Sequence, residues 1–141
     1  MKADLNREQY IAHFEKTDNL GKIFGAKVLS LSDTEAVTEY TVNPAHYNPN
    51  GILHGGALFC AMDSAQGLFV HYILDKAFQA AATGTATIKF LAPMKSGRVK
   101  MRAFLKEKQG RKLFVNSVAT DESGREIATL EEIWIAIAAK F

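Results

Sequence analysis

His54-Gly-Gly-Ala-Leu-Phe-Cys-Ala-Met-Asp63-Ser-Ala-Gln-Gly-Leu-Phe-Val-His-Tyr-Ile-Leu74 is the stretch on which the reading of the chain turns. Its apolar residues fall on nearly all sides of a helical wheel, the pattern of a helix wrapped by other structure. One carboxylate, Asp63, interrupts it. An unpaired anion in such a place loses hydration worth many kcal/mol, so it must be hydrogen-bonded, neutralised or put to use. Burial also raises the pKa of an Asp and makes its anion a better base. The helix opens at His54-Gly55-Gly56, where unpaired backbone N–H groups favour developing negative charge. A base and an anion-stabilising helix start on one element suggest hydrolytic chemistry.

Upstream of this helix, residues 4–16 read as a short amphipathic helix. Asn6 and Gln9 are spaced as a capping pair, and Tyr10 and Phe14 share a face. Thr17-Asp-Asn-Leu-Gly21 is expected to break it. Strands are expected near 23–31 and 35–42, with Thr38, Tyr40 and Val42 on one side of the second. The Pro/Asn/Gly-rich passage 43–51 ends strand structure and delivers the chain to the helix. Downstream the period alternates, giving strands near 83–92, 97–108, 112–121 and 125–138. Breaks at Pro93 with Ser96-Gly97, at Gln109-Gly110 and at Glu122-Ser-Gly124 are short enough for hairpins or a meander. The last strand carries Ile133, Ile135 and Ile137 on one face and Trp134 on the other, so both faces are expected to pack, one of them in a subunit contact.

The order is two strands, a long helix, then four strands, as expected for a sheet curled around one helix. A length of 141 residues fits a single domain over 1–141, with a helical extension at 1–19 and a core at 20–138. A formal charge of +2 is too mild to argue for nucleic-acid binding. Asp63, Ser64, Gln66 and His71 interrupt the apolar run and argue against a membrane span. The N-terminus lacks the apolar core of a secretion signal, and the one cysteine, Cys60, fits a reducing compartment, so a cytoplasmic protein is expected. Cys60 has apolar neighbours and reads as a buried, inert thiol rather than a nucleophile. The four His and one Cys lack zinc-site spacing, and no Gly-x-Ser-x-Gly elbow is present.

The candidate site runs from Asn48 through His54, Gly55 and Gly56 to Asp63. The glycines let a ligand approach the backbone closely, although Gly-Gly is also a common tight helix entry. His54 is a candidate for proton transfer or for bracing that entry, and Asn48 for a donor or an ordinary turn residue. Asp63 lies about 12 Å along the helix from Gly55, at 1.5 Å per residue. The two cannot meet one small group unless the Asp comes from a second subunit. That geometry predicts a symmetric dimer with two interfacial sites.

The motif Asn48-x-x-Gly51-x-x-His54-Gly55-Gly56, followed by Asp63 in the helix, resembles that of the PaaI-like acyl-CoA thioesterases of the hotdog-fold superfamily. Phe24-Gly25, Ile88-Lys-Phe-Leu-Ala-Pro93, Gly97-Arg-Val and Asp121-Glu-Ser-Gly124 extend the resemblance over about residues 20–138. It implies an α+β hotdog fold, an antiparallel sheet wrapped around one long central helix. It implies that the Gly55 N–H polarises a thioester carbonyl and that Asp63, from the partner subunit, acts as general base or nucleophile. Asn48 would hold the carbonyl or the water, and Thr83 would orient the water or the Asp. Gly56 would lie against the substrate. Lys89, Lys95 and Arg98, with Arg111 and Lys112, flank strand ends where the phosphates of coenzyme A could be met, or are simply solvated charges. Leu58, Phe59, Met62 and Tyr72 are candidates for an acyl slot, with core packing as the alternative. No metal or cofactor is implied, coenzyme A being part of the substrate. The expected partners are copies of the same chain, as a homodimer or a dimer of dimers (homotetramer), with no nucleic acid or membrane. Two other readings are a non-catalytic acyl-CoA-binding module and a hotdog hydratase or dehydratase.

Overall fold

Local capping decides the first elements. In the structure, a computed structural model that describes residues 5–138, Asn6 accepts from the Gln9 N–H at 2.9 Å and the Gln9 side chain accepts from the Asn6 N–H at 3.0 Å. This reciprocal box starts helix α1 (Arg7–Thr17), as the spacing anticipated; position 4 lies outside the described residues. Tyr10 is buried, and its hydroxyl donates to the Leu68 carbonyl at 2.9 Å, tying α1 to the long helix.

The break at 17–21 and a strand from residue 23 were expected, but a second helix, α2 (Asn19–Phe24), lies there. The Asp18 carboxylate accepts from the Gly21 N–H at 3.2 Å and so caps a new helix where the first one ends. Gly25, at φ 70, closes α2. Strand β1 (Lys27–Leu31) therefore starts four residues later than expected and pairs with β2 (Glu35–Val42). Thr38, Tyr40 and Val42 are buried on one side of β2, as their alternation required.

The long helix α3 (Gly55–Ile73) follows a short 3-10 turn at Pro44–His46. Strands β3 (Phe78–Phe90), β4 (Gly97–Gln109), β5 (Lys112–Thr120) and β6 (Glu126–Ala138) complete the fold. The six-stranded antiparallel sheet has the order β1-β2-β4-β5-β6-β3, the architecture of a hotdog fold. Two of the three downstream connections are hairpins, joining β4 to β5 and β5 to β6. The first is not. Residues 91–96 carry the chain past two strands, because Leu91 still donates to the Ile127 carbonyl at 2.8 Å beside β6 and β4 docks on β2.

Leu58, Ala61, Met62, Ala65, Leu68, Phe69 and Val70 of α3 are buried against the sheet. The helix is less fully wrapped than its composition suggested: Asp63, Ser64, Gly67, His71 and Tyr72 are half-buried along one open groove. Buried Gln66 is fully spent. Its amide donates to the Ser117 hydroxyl at 3.0 Å and to the Leu130 carbonyl at 3.2 Å, while its carbonyl accepts from the Trp134 indole at 3.0 Å. Strand β3 forms one edge of the sheet. Residues 82–87 are exposed, and Lys89 is its one charge.

Candidate active site

Asp63 sits at mid-helix, half-buried, with its Oδ1 accepting from the Thr83 hydroxyl at 2.9 Å. That contact depends on a bulge. Along β6 the inward residues Ala128, Leu130, Trp134 and Ala136 alternate strictly, and Glu132 shares their parity. Their β3 partners are Phe90 for Ala128, Ile88 for Leu130, Ala86 for Glu132 and then Thr83 for Trp134. The register slips between Thr83 and Thr85, so Gly84 is the extra residue and Thr83 keeps facing the helix. The pairing of Asp63 with Thr83 follows.

Beside them lies a carboxyl that the sequence analysis overlooked. Glu132 is only 2% exposed, and neither of its oxygens has a hydrogen-bond partner among the described residues. Burial first, and then the adjacent Asp63, push its pKa up to about 8. Its signal was present in the sequence: the alternation that turns Trp134 inward also turns Glu132 inward. Trp134 and Gln66 form the wall of this corner through their indole–amide bond.

The start of α3 is built from a different set of residues. Asn48 Oδ1 accepts from the Asn50 N–H at 2.9 Å, an Asx turn that folds the loop, and Gly51 takes φ 73 to complete it. The Asn48 Nδ2 has no partner among the described residues. His46 is buried, and its backbone carbonyl accepts from the His54 N–H at 2.8 Å, holding the two ends of the loop together. Burial lowers the His46 pKa.

His54 is the N-cap of α3, its Nδ1 accepting from the Gly56 N–H at 2.8 Å. The bracing contact considered for His54 is present, and the Gly56 N–H is occupied by it. The Gly55 N–H has no partner among the described residues. A Cβ on Gly55 would stand 2.9 Å from the Phe90 ring, so glycine permits this close approach of the helix start to the end of β3. Asn48, Gly55, Leu58, Phe90 and Met94 line a cleft of about 380 Å³.

Asp63 opens elsewhere, into a groove of about 950 Å³ lined also by Tyr10, His71, Tyr72, Phe78 and Trp134. Within one chain the donors at the helix start and the carboxylate line separate clefts. Of the acyl-slot candidates, Leu58 borders the first cleft and Tyr72 the second; Met62 is core, and Phe59 lines neither. Lys89 and Lys95 are exposed on either side of the 90–94 rim of the smaller cleft. The Arg98 Nε donates to Glu122 at 3.2 Å, and the Arg111 Nε to the Ala136 carbonyl at 3.0 Å, so both are engaged within the chain; Lys112 is exposed.

Cys60 is half-buried rather than buried. Burial, with the negative charges of Asp18 and Asp63, raises its pKa and keeps it a thiol. Among the described residues no three His, Cys, Asp or Glu side chains converge to hold a metal ion, and no helix is long and apolar enough to cross a membrane.

Residues 50–128 match the family model of the thioesterase superfamily. The chain is 28% identical over 127 residues to a Saccharolobus solfataricus protein named "Putative esterase SSO2140", covering 90% of this chain and 89% of that one. Among solved structures it resembles the Escherichia coli PaaI protein from the phenylacetic acid degradation operon (TM-score 0.83, 21% identity, 92% of this chain and 93% of that one). A variant thioesterase of Pseudomonas aeruginosa superposes with a TM-score of 0.85 at 18% identity, over 96% of each chain. At such identities these structures establish the shared fold.

Proposed function

We propose that this chain, which belongs to the thioesterase superfamily, hydrolyses acyl-CoA thioesters at a site completed by a second copy of itself. The observation that carries the proposal is the separation of Asp63 from two unspent donors, the Gly55 N–H and the Asn48 Nδ2, into different clefts of one chain.

The open edge of β3 offers the means of joining them. An exposed edge of 13 residues carrying one charge is a template for pairing. Antiparallel pairing of two β3 strands about an axis between Ala86 and Thr87 sets Thr83 opposite Phe90 of the partner subunit. Because Thr83 holds Asp63 and Phe90 packs on Gly55, the same operation carries Asp63 toward Gly55 of the partner subunit. Such a two-fold arrangement yields two equivalent sites. A further pairing of dimers, giving a tetramer, extends this reading.

The chemistry then follows. Attack on the thioester carbonyl builds negative charge on its oxygen, which the Gly55 N–H and the Asn48 amide stabilise, with the α3 dipole behind them. Asp63 removes the proton from the attacking water, or adds to the carbonyl itself; single turnover in isotopically labelled water separates the two. Collapse breaks the C–S bond and releases coenzyme A as the thiolate, which takes up the proton drawn from water. On the second route the acyl–Asp63 anhydride left behind is then hydrolysed by water, giving the acid and restoring the carboxylate. Thr83 fixes the Asp63 carboxylate so that Oδ1 is occupied and Oδ2 is left for the reaction. Lys89 and Lys95 are placed to meet phosphates, and the mostly apolar lining of the smaller cleft, with the aromatic side chains Tyr72, Phe78 and Trp134 of the larger one, suits an acyl group.

The test is thiol release from short, medium, long and aromatic acyl-CoAs by the wild type and Asp63→Asn. Hydrolysis of at least one of them, reduced by about tenfold or more in the variant, is expected. Saturable binding of acyl-CoA without thiol release would instead make the chain a binding module.

A further inference from the structure

Glu132 is an unusual feature of this corner: a buried carboxyl with neither oxygen satisfied, next to a second carboxyl. A census of its neighbours decides its state. The Trp134 N–H is given to Gln66, the Gln66 amide hydrogens go to Ser117 and Leu130, and the Thr83 hydroxyl hydrogen goes to Asp63. Across the sheet, Ala86 of β3 and Val115 of β5 lie opposite Glu132 and offer no side-chain donor. From α3, the His71 Nε2 accepts from the Ala81 N–H at 3.2 Å, and its Nδ1 lies 2.9 Å from the Gly67 carbonyl, so both ring nitrogens are engaged away from Glu132. Asp63 is the titratable side chain that bears on Glu132, with Cys60 beyond it. The hydrogens of Trp134 and Thr83 that would favour an ionised Glu132 are thus already given to Gln66 and Asp63, and burial and Asp63 outweigh them. A protonated Glu132, by contrast, has the Asp63 carboxylate as its acceptor.

We propose that Glu132 is a positioning residue for Asp63: it carries a proton, donates it in a hydrogen bond to the Asp63 carboxylate, and leaves the pair with a single negative charge directed at the cleft. This rests on the assignment of Asp63 to thioester hydrolysis. Thr83 and Glu132 then both hold the Asp63 carboxylate, whose oxygens each carry two lone pairs, so that Oδ2 still has one for the reaction. The proton stays on Glu132 throughout turnover. The upward displacement of Glu132 to about 8, from burial and from Asp63, agrees with that protonated form at neutral pH. Two carboxyls sharing one proton titrate as a pair. Once the second proton leaves, two adjacent anions repel, Asp63 is displaced, and the oxyanion forms in a site with excess negative charge.

The experiment compares pH profiles of kcat for the wild type, Glu132→Gln and Glu132→Leu, together with infrared spectra of the folded proteins. The wild type should lose activity above about pH 8. Glu132→Gln, which keeps a neutral donor of the same shape, should stay within about threefold of the wild type near neutrality and lose that alkaline fall. Glu132→Leu, which cannot donate, should fall by about tenfold or more in kcat, with less change in KM. The infrared spectrum reads the proton without any turnover: a buried carboxylic-acid C=O band should be present near neutral pH and absent from Glu132→Gln. Absence of that band from the wild type would overturn the inference even if no thioester is cleaved. An unchanged alkaline limb in Glu132→Gln, or full activity in Glu132→Leu, would overturn it while leaving the hydrolytic assignment standing.

Discussion

Replacing Glu132 by Gln should make the protein more stable in alkali while changing little in acid. In the unfolded chain Glu132 releases its proton near the ordinary value of 4.5, but in the fold it holds the proton up to about 8. Between those two values the native state binds more protons than the unfolded state, so stability falls as pH rises. The contribution is fully present below the unfolded pKa and lost by the folded one. At about 1.4 kcal/mol per unit, the interval corresponds to on the order of 5 kcal/mol for an isolated group. Coupling to Asp63 distributes this over the pair. The Gln variant has no proton to lose there. Urea denaturation at fixed protein concentration, from about pH 5 to about pH 9, should show the variant gaining several kcal/mol over the wild type as pH rises. Parallel curves, or a wild type that gains on the variant with increasing pH, would refute the reasoning.

Other perturbations separate structural from chemical roles. Asn48→Asp keeps the oxygen that accepts from Asn50 but replaces the free amide by an acceptor; hydrolysis should fall by about 10²–10³ with the fold retained, as read by steady-state kinetics and circular dichroism. His54→Ala removes the cap on the Gly56 N–H, so a thermal melt should show a loss of about 1 kcal/mol, with kcat changed only a few-fold because His54 braces the helix. Gln66→Leu strands the Trp134 indole N–H and leaves Ser117 and the Leu130 carbonyl without their donor; denaturation should show a loss of about 2–4 kcal/mol.

Where the signal was periodic, the sequence was an adequate guide. The β2 alternation at Thr38, Tyr40 and Val42, the long α3 and strands β4, β5 and β6 sit where their patterns put them, whereas β3 begins at Phe78, five residues before the expected 83. Helix α2 escaped because six residues are too few for periodicity, and it depends on one capping contact from Asp18. The β3–β4 connection looked like a hairpin because loop length is local, whereas strand partners are chosen by long-range pairing. At the candidate site, the motif led to Asn48, Gly55 and Asp63, but not to the division of labour among their donors. That His54 occupies Gly56 is a side-chain geometry that spacing does not encode. Glu132 was missed for a related reason. It lies 69 residues beyond Asp63 and reads as half of a polar Glu-Glu pair, until the parity of β6 places it in the core.

The central claim, that each site joins Asp63 of one chain to the helix start of another, is tested most directly by mixing two inactive variants. Asp63→Asn and Asn48→Asp are denatured together in equal amounts, refolded, and assayed for thiol release against either variant refolded alone. A shared site predicts about a quarter of wild-type activity, since half of the random dimers are mixed and each of these has one intact site. Activity no higher than that of the separate variants, in a mixture shown to contain mixed dimers, would contradict the account.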